Sequence, residues 1–98
     1  VLRKTHITQL LQSSKPKLQK FGVNRIGLFG SARRDEMTKE SDIDILIDFD
    51  LEKETFANFM ETCNILESLF QDHRLDIVSS KGLSPFIGPY ILKDVEYV

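Results

Sequence analysis

The chain has 98 residues, with 13 Lys+Arg against 15 Asp+Glu, a formal net charge of −2 and a hydrophobic fraction of 41%. This composition excludes a disordered chain, and the length leaves room for one domain, 1–98. No apolar run approaches the roughly 20 residues that cross a bilayer, and the lone Cys63 excludes an internal disulfide or a cysteine-based zinc site.

The N-terminus, Val1-Leu2-Arg3-Lys4-Thr5-His6, carries no apolar h-region, so no signal peptide is expected and a reducing, cytoplasmic setting fits. The near-neutral charge hides an uneven layout. Residues 1–34 hold Arg3, Lys4, Lys15, Lys17, Lys20, Arg25, Arg33 and Arg34 and no acid, whereas 35–98 hold only Lys39, Lys53, Arg74, Lys81 and Lys93 beside all 15 acids. Such asymmetry suggests a phosphate or nucleic-acid partner, or a metal site.

In chain order, Ile7, Leu10, Leu11, Ser14, Leu18 and Phe21 recur at helical spacing. Pro16 lacks a backbone donor and interrupts them, which predicts one helix to about Ser13 and a second from Pro16 to Phe21, stopped by Gly22. Val23 to Phe29 is short and apolar and reads as a buried strand. Gly30-Ser31 turns the chain, and 32–41 is charged and mostly loop, with room for one helical turn.

Ile43 to Phe49 is the strongest strand: Ile43, Ile45, Ile47 and Phe49 point one way, Asp42, Asp44, Asp48 and Asp50 the other. Thr55 to Phe70 is an amphipathic helix with Phe56, Phe59, Met60, Cys63, Leu66 and Phe70 on its core face. Leu75 to Val78 is a short strand. Ser84-Pro85 reads as an N-cap followed by proline at the first helical position, and Gly88-Pro89 kinks or splits that helix. Val95 to Val98 is a candidate edge strand. The fold class is α/β (α+β), a small mixed β-sheet with helices packed on it.

Three features carry chemistry. Gly30 and Ser31 follow a buried strand directly, where a glycine permits close approach to a ligand and free N–H groups with a hydroxyl can hold phosphate oxygens. The same pair is also an ordinary turn. Asp42 and Asp44 open a strand on one side, about 6.6 Å apart at Cα. From there two carboxylates can lean inward on a pair of Mg²⁺ ions, although alternating acids are equally what a solvated strand face carries. Asp48 and Asp50 lie further along and are read as that solvated face. Asp76 sits inside an apolar strand, where an acid is costly unless paired, metal-bound or facing solvent. A third carboxylate on a neighbouring strand would complete a metal-binding set and could take a proton from an attacking hydroxyl. His6, His73 and Cys63 lack partners at ligand spacing and are read as ordinary surface or core positions.

Gly30-Ser31, ten residues, then Asp42-Ile43-Asp44 resembles the signature of the polymerase-β-like nucleotidyltransferases. With Leu28-Phe29 before it, Arg33-Arg34 within it and Leu75-Asp76-Ile77-Val78 after it, the chain looks like the minimal nucleotidyltransferase (MNT) subfamily over nearly its whole length. The resemblance implies that Gly30 and Ser31 cradle the β- and γ-phosphates of ATP or another nucleoside triphosphate. It implies that Asp42 and Asp44 hold two Mg²⁺ ions, and that Asp76 binds the catalytic metal and helps activate the acceptor. Arg34 is either a phosphate contact or a solvent-exposed charge. The family usually carries Gly at position 35. Asp35 here either opposes the triphosphate or faces solvent.

The implied reaction is transfer of NMP, expected to be AMP, to an acceptor hydroxyl with release of pyrophosphate. In the minimal subfamily the acceptor resembles a tyrosine of a small helical HEPN-type toxin, with the nucleotidyltransferase as its antitoxin. A different reading is a non-catalytic module that neutralises a partner by steric masking. The basic segment brings no recognised DNA-binding motif, so a nucleotide rather than nucleic acid is the expected ligand.

Overall fold

The computed structural model describes residues 2–98. The elements are α1 (Lys4–Gln19), β1 (Val23–Phe29), α2 (Gly30–Arg33), β2 (Ile43–Phe49), α3 (Phe56–Leu69), β3 (Leu75–Ser79), a 3-10 turn at Ser80–Gly82, α4 (Gly88–Asp94) and β4 (Glu96–Tyr97). The four strands form one mixed sheet in the order β3-β2-β1-β4. β1 runs antiparallel to β2 and β4, and β3 runs parallel to β2. The parallel pair is joined by α3, as a parallel connection requires a crossover.

Helix α1 is continuous through Pro16, where the sequence predicted two helices. Its buried side chains, Ile7, Leu11, Ser14 and Leu18, keep one helical register across the proline. An interior proline costs about 3 kcal/mol, while fully burying Leu18 beyond it returns roughly 1.5–3 kcal/mol. The Ser13 and Ser14 hydroxyls also donate to the Leu10 and Leu11 carbonyls, each at 2.7 Å, in the turn before the proline. Burial of Leu18 thus offsets most of the local penalty, and the shared core register of Ile7, Leu11 and Ser14 keeps the helix whole.

One face of the sheet is the apolar core. Ile26 and Leu28 of β1 and Ile43, Ile45 and Ile47 of β2 meet Ile7, Leu11 and Leu18 of α1 and Leu66 with Phe70 at the α3 end. The α3 face differs from expectation. Thr62, Leu66 and Phe70 are buried and Phe59 and Ile65 packed against the core, while Phe56 is 80% exposed, Met60 is exposed and Cys63 half-buried. The helix is rolled by about one position. Thr62 can be buried because its hydroxyl donates to the Asn58 carbonyl at 2.8 Å, and Thr55 caps the helix start by accepting the Asn58 N–H at 3.1 Å.

The opposite face carries Arg25, Gly27 and Phe29 of β1, Asp44, Leu46 and Asp48 of β2, and Asp76 of β3, as the pairing Arg25↔Asp48, Gly27↔Leu46, Phe29↔Asp44 and Asp44↔Asp76 dictates. A bulge between Val23 and Arg25 switches β1 from one alternation to the other. Val95 closes over Gly27, where any Cβ would collide with its methyl group. Asp48 is not the solvated acid predicted from the alternation. It is only 8% exposed and pairs with Arg25 at 2.7 Å. Arg25 stacks in turn on Tyr97, 4.0 Å from the ring centroid. Asp50 is exposed as expected.

Near the C-terminus, Ser84 caps a turn rather than the helix: its hydroxyl accepts from the Phe86 and Ile87 N–H groups, and α4 begins only at Gly88. The edge strand forms, with Gly27 opposite Tyr97.

Candidate active site

The site lies where β1 ends and β2 and β3 begin. Antiparallel pairing of β1 with β2 and parallel pairing of β2 with β3 align Phe29, Asp44 and Asp76 in one row across three strands. Adjacent strands are about 4.8 Å apart, so the two carboxylates confront each other. Gly30 follows Phe29 directly, and the chain enters α2 at once rather than through a loop.

Gly30 has φ +67, a left-handed conformation that disfavours side chains. It also packs so tightly on the Asp44 carboxylate that a Cβ would strike Asp44 Oδ2. Glycine is required here by both backbone and space. Ser31 is half-buried and its hydroxyl has only the weak Met37 Sδ acceptor at 3.5 Å.

Asp44 is half-buried. Burial first, then the charges of Asp76 and Asp42 and a hydrogen bond with Asp76, push its carboxyl up to about 6, against an opposing pull from Arg34. Asp76 is exposed. Asp42 is also exposed and is held by Arg74, whose Nε lies 3.0 Å from Asp42 Oδ1 while Nη2 donates to the Glu40 carbonyl at 2.6 Å.

The structure thus brings Asp44 and Asp76 together beside Gly30 and Ser31, and draws Asp42 toward Arg74. Among the described residues no three His, Cys, Asp or Glu side chains are gathered tightly enough to hold a metal ion as they stand. The donor chemistry nonetheless fits Mg²⁺: the facing groups are hard carboxylate oxygens. Their mutual repulsion, which adds to burial in raising the Asp44 carboxyl, is what a divalent cation relieves.

Arg34 lies at the site margin, 3.0 Å from Glu36 and 3.4 Å from Asp94. Asp35, the departure from the family pattern, neither opposes this site nor merely faces solvent. It adopts φ 57, a left-handed conformation that a glycine takes without strain. Its carboxylate accepts from Arg3 at 2.6 and 3.2 Å and from the Lys4 N–H at 2.9 Å, capping α1.

Sequence reasoning missed Arg74 and Asp94. Arg74 was findable: if Asp44 and Asp76 are neighbours on parallel strands, stepping back two residues in each places Arg74 beside Asp42. Asp94, whose Oδ2 accepts the Gly30 N–H at 2.6 Å, is 64 residues away and carries no local signal.

The chain belongs to the nucleotidyltransferase domain family, which it matches over residues 10–97. It is 39% identical over 93 residues to the protein adenylyltransferase MntA of Thermococcus cleftensis, covering 94% of this chain and 92% of that protein. It is 34% identical over 97 residues to a Methanocaldococcus jannaschii protein provisionally named a protein adenylyltransferase, covering 96% of each. A solved structure described as a minimal nucleotidyltransferase superposes with a TM-score of 0.82 at 26% identity, over 97% of this chain and 95% of the other.

Proposed function

We propose that this nucleotidyltransferase is an Mg²⁺-dependent protein adenylyltransferase that moves AMP from ATP to a tyrosine hydroxyl of a small helical HEPN-type toxin, which it silences as an antitoxin. The observation that carries the reading is the Asp44–Asp76 pair set against the Gly30-Ser31 turn. The similarity to a protein adenylyltransferase across nearly the whole chain supports the choice of a protein acceptor.

In this reading Asp42, Asp44 and Asp76 hold the Mg²⁺ ions, with Asp42 released from Arg74. Bound Mg²⁺ supplies charge stabilisation on the phosphate oxygens of an in-line displacement. Gly30 N–H and the Ser31 hydroxyl bind the β- and γ-phosphates, and the Arg34 fork steadies them. The tyrosine oxygen forms a bond to the α-phosphorus as the bond to the β-phosphate bridging oxygen breaks, and pyrophosphate leaves. Asp76, the exposed member of the pair, accepts the tyrosine proton.

The test is intact-mass analysis after incubation with ATP, Mg²⁺ and the product of the adjacent open reading frame as candidate toxin. A mass increment of one AMP on the toxin is expected with the wild type, and none with Asp44→Ala. An unmodified toxin in both reactions sinks the proposal. Full neutralisation of the toxin by Asp44→Ala at equal stoichiometry would establish steric masking instead.

A further inference from the structure

The C-terminal helix reaches into the turn where phosphate is expected. Asp94, the last residue of α4, accepts the Gly30 N–H through Oδ2 at 2.6 Å. The same oxygen lies 3.4 Å from Arg34 Nη1, and Oδ1 lies 4.0 Å from Arg33 Nε. Arg33 Nε is itself buried and without a hydrogen-bond partner. One carboxylate therefore sits among a backbone N–H and two guanidinium groups. Carboxylate and phosphate oxygens compete for such donors on equal chemical terms.

We propose that Asp94 is a built-in occupant of the phosphate cradle, a latch that the triphosphate must displace before the Asp44–Asp76 pair can act on it. The proposal rests on the reading of Gly30, Ser31 and Arg34 as the phosphate-binding group, and names how that site is regulated. The holding element is suited to release. α4 buries Gly88 but leaves Tyr90 and Leu92 exposed, and Phe86 and Ile87 before it are exposed too. Moving it sacrifices little apolar contact. β4 holds the end of the helix near β1, and the Asp94 carboxylate ties it to Gly30, a tie that gives up an internal partner for solvent as the nucleotide takes the donors. Affinity for nucleotide is then reduced by the fraction of molecules in which the latch is closed.

The test compares binding of α,β-methylene-ATP with Mg²⁺ to the wild type, Asp94→Asn and Glu36→Gln. Glu36→Gln removes one charge beside Arg34 but leaves the charged Asp94 carboxylate on the Gly30 N–H, whereas Asp94→Asn removes the charge from that bond. Asp94→Asn is expected to bind about tenfold tighter, as for a latch closed nine-tenths of the time. Glu36→Gln is expected to gain about twofold, the effect of one exposed charge. The Gly30 amide resonance should move in Asp94→Asn and, in the wild type, on adding the nucleotide. A second measurement needs no variant: hydrogen exchange of α4 amides in the wild type should speed up when nucleotide binds.

Equal affinities for Asp94→Asn and Glu36→Gln, or α4 exchange that is unchanged or slowed by bound nucleotide, would overturn the latch and leave the phosphate site standing. Absence of binding in all three proteins would overturn the site reading, and the latch with it.

Discussion

At the scale of single residues, Asp44 is held in a state that favours reactivity over stability. Its folded carboxyl titrates near 6, above the ordinary value of about 3.9. A raised carboxyl binds more protons in the folded state, so stability falls as pH rises from about 4 to about 6, and the deficit persists above that window. A shift of this size corresponds to about 3 kcal/mol at full coupling, reduced to about 1 kcal/mol for a half-buried, partly screened group. Asp44→Asn is therefore expected to raise the unfolding free energy by about 1 kcal/mol at pH 7.5 in EDTA. It should add nothing at pH 3.5 and should abolish transfer. Urea titrations at the two pH values check this. A stabilised but inactive variant is the expected mark of a residue placed for function.

Asp35 works in the opposite sense. Arg3 first, then the Lys4 N–H, hold its carboxyl below the usual range. Its contribution is complete above the unfolded value near 4 and is lost as pH falls through its lower folded value. Asp35→Gly keeps the left-handed backbone but removes the cap on α1. Its melting temperature at pH 7 is expected to drop below that of the wild type, and the gap to narrow on acidification. Nucleotide binding should be unchanged, because this carboxylate is turned toward α1. Weaker or tighter binding in the variant would contradict that placement.

At the scale of elements, α1 shows why local rules alone mispredict. Proline in a helix interior is a sound break signal, and it lost here to the burial of Leu18 two residues further on. The penalty is still carried. Pro16→Ala should restore a backbone hydrogen bond and raise the unfolding free energy by about 1–3 kcal/mol, with transfer activity unaltered, as equilibrium denaturation and a mass-based assay would measure. In α3 the apolar residues fell on overlapping stripes. Phe59, Leu66 and Phe70 lie on the core side as expected, while Thr62 is buried and Phe56 is left out. A threonine with its hydroxyl bonded inside the helix can go inward, and a phenylalanine at the first turn can be left out.

At the scale of the whole molecule, β1 and β2 were legible with their ends, because short β-branched runs bounded by Gly and Asp have few alternatives. That Asp44 stands close to Gly30 was legible in the motif spacing, and Asp76 as a third acid in its apolar strand, whereas Asp42 is drawn off toward Arg74. Asp94 and the inward-facing Asp48 were not legible. Asp94 meets Gly30 only because β4 folds back along β1, and Asp48 is buried only because Arg25 arrives opposite it past a bulge. Both depend on contacts between distant segments, which a pattern read along one strand cannot contain. No helix among the described residues is long and apolar enough to cross a membrane.

The row Phe29, Asp44 and Asp76 has a further consequence for assembly. Both acids stand on paired strands rather than on loops, so their meeting is fixed by pairing alone. Shifting β3 by a single residue against β2 would turn Asp76 into the apolar layer beneath α1 and α3 and lift Leu75 or Ile77 into its place. A mispaired chain would retain most of its helices and yet lack the acid pair entirely. Turnover would thus count only those molecules whose parallel edge strand, β3, has docked in register, and activity would report on folding more strictly than helix content.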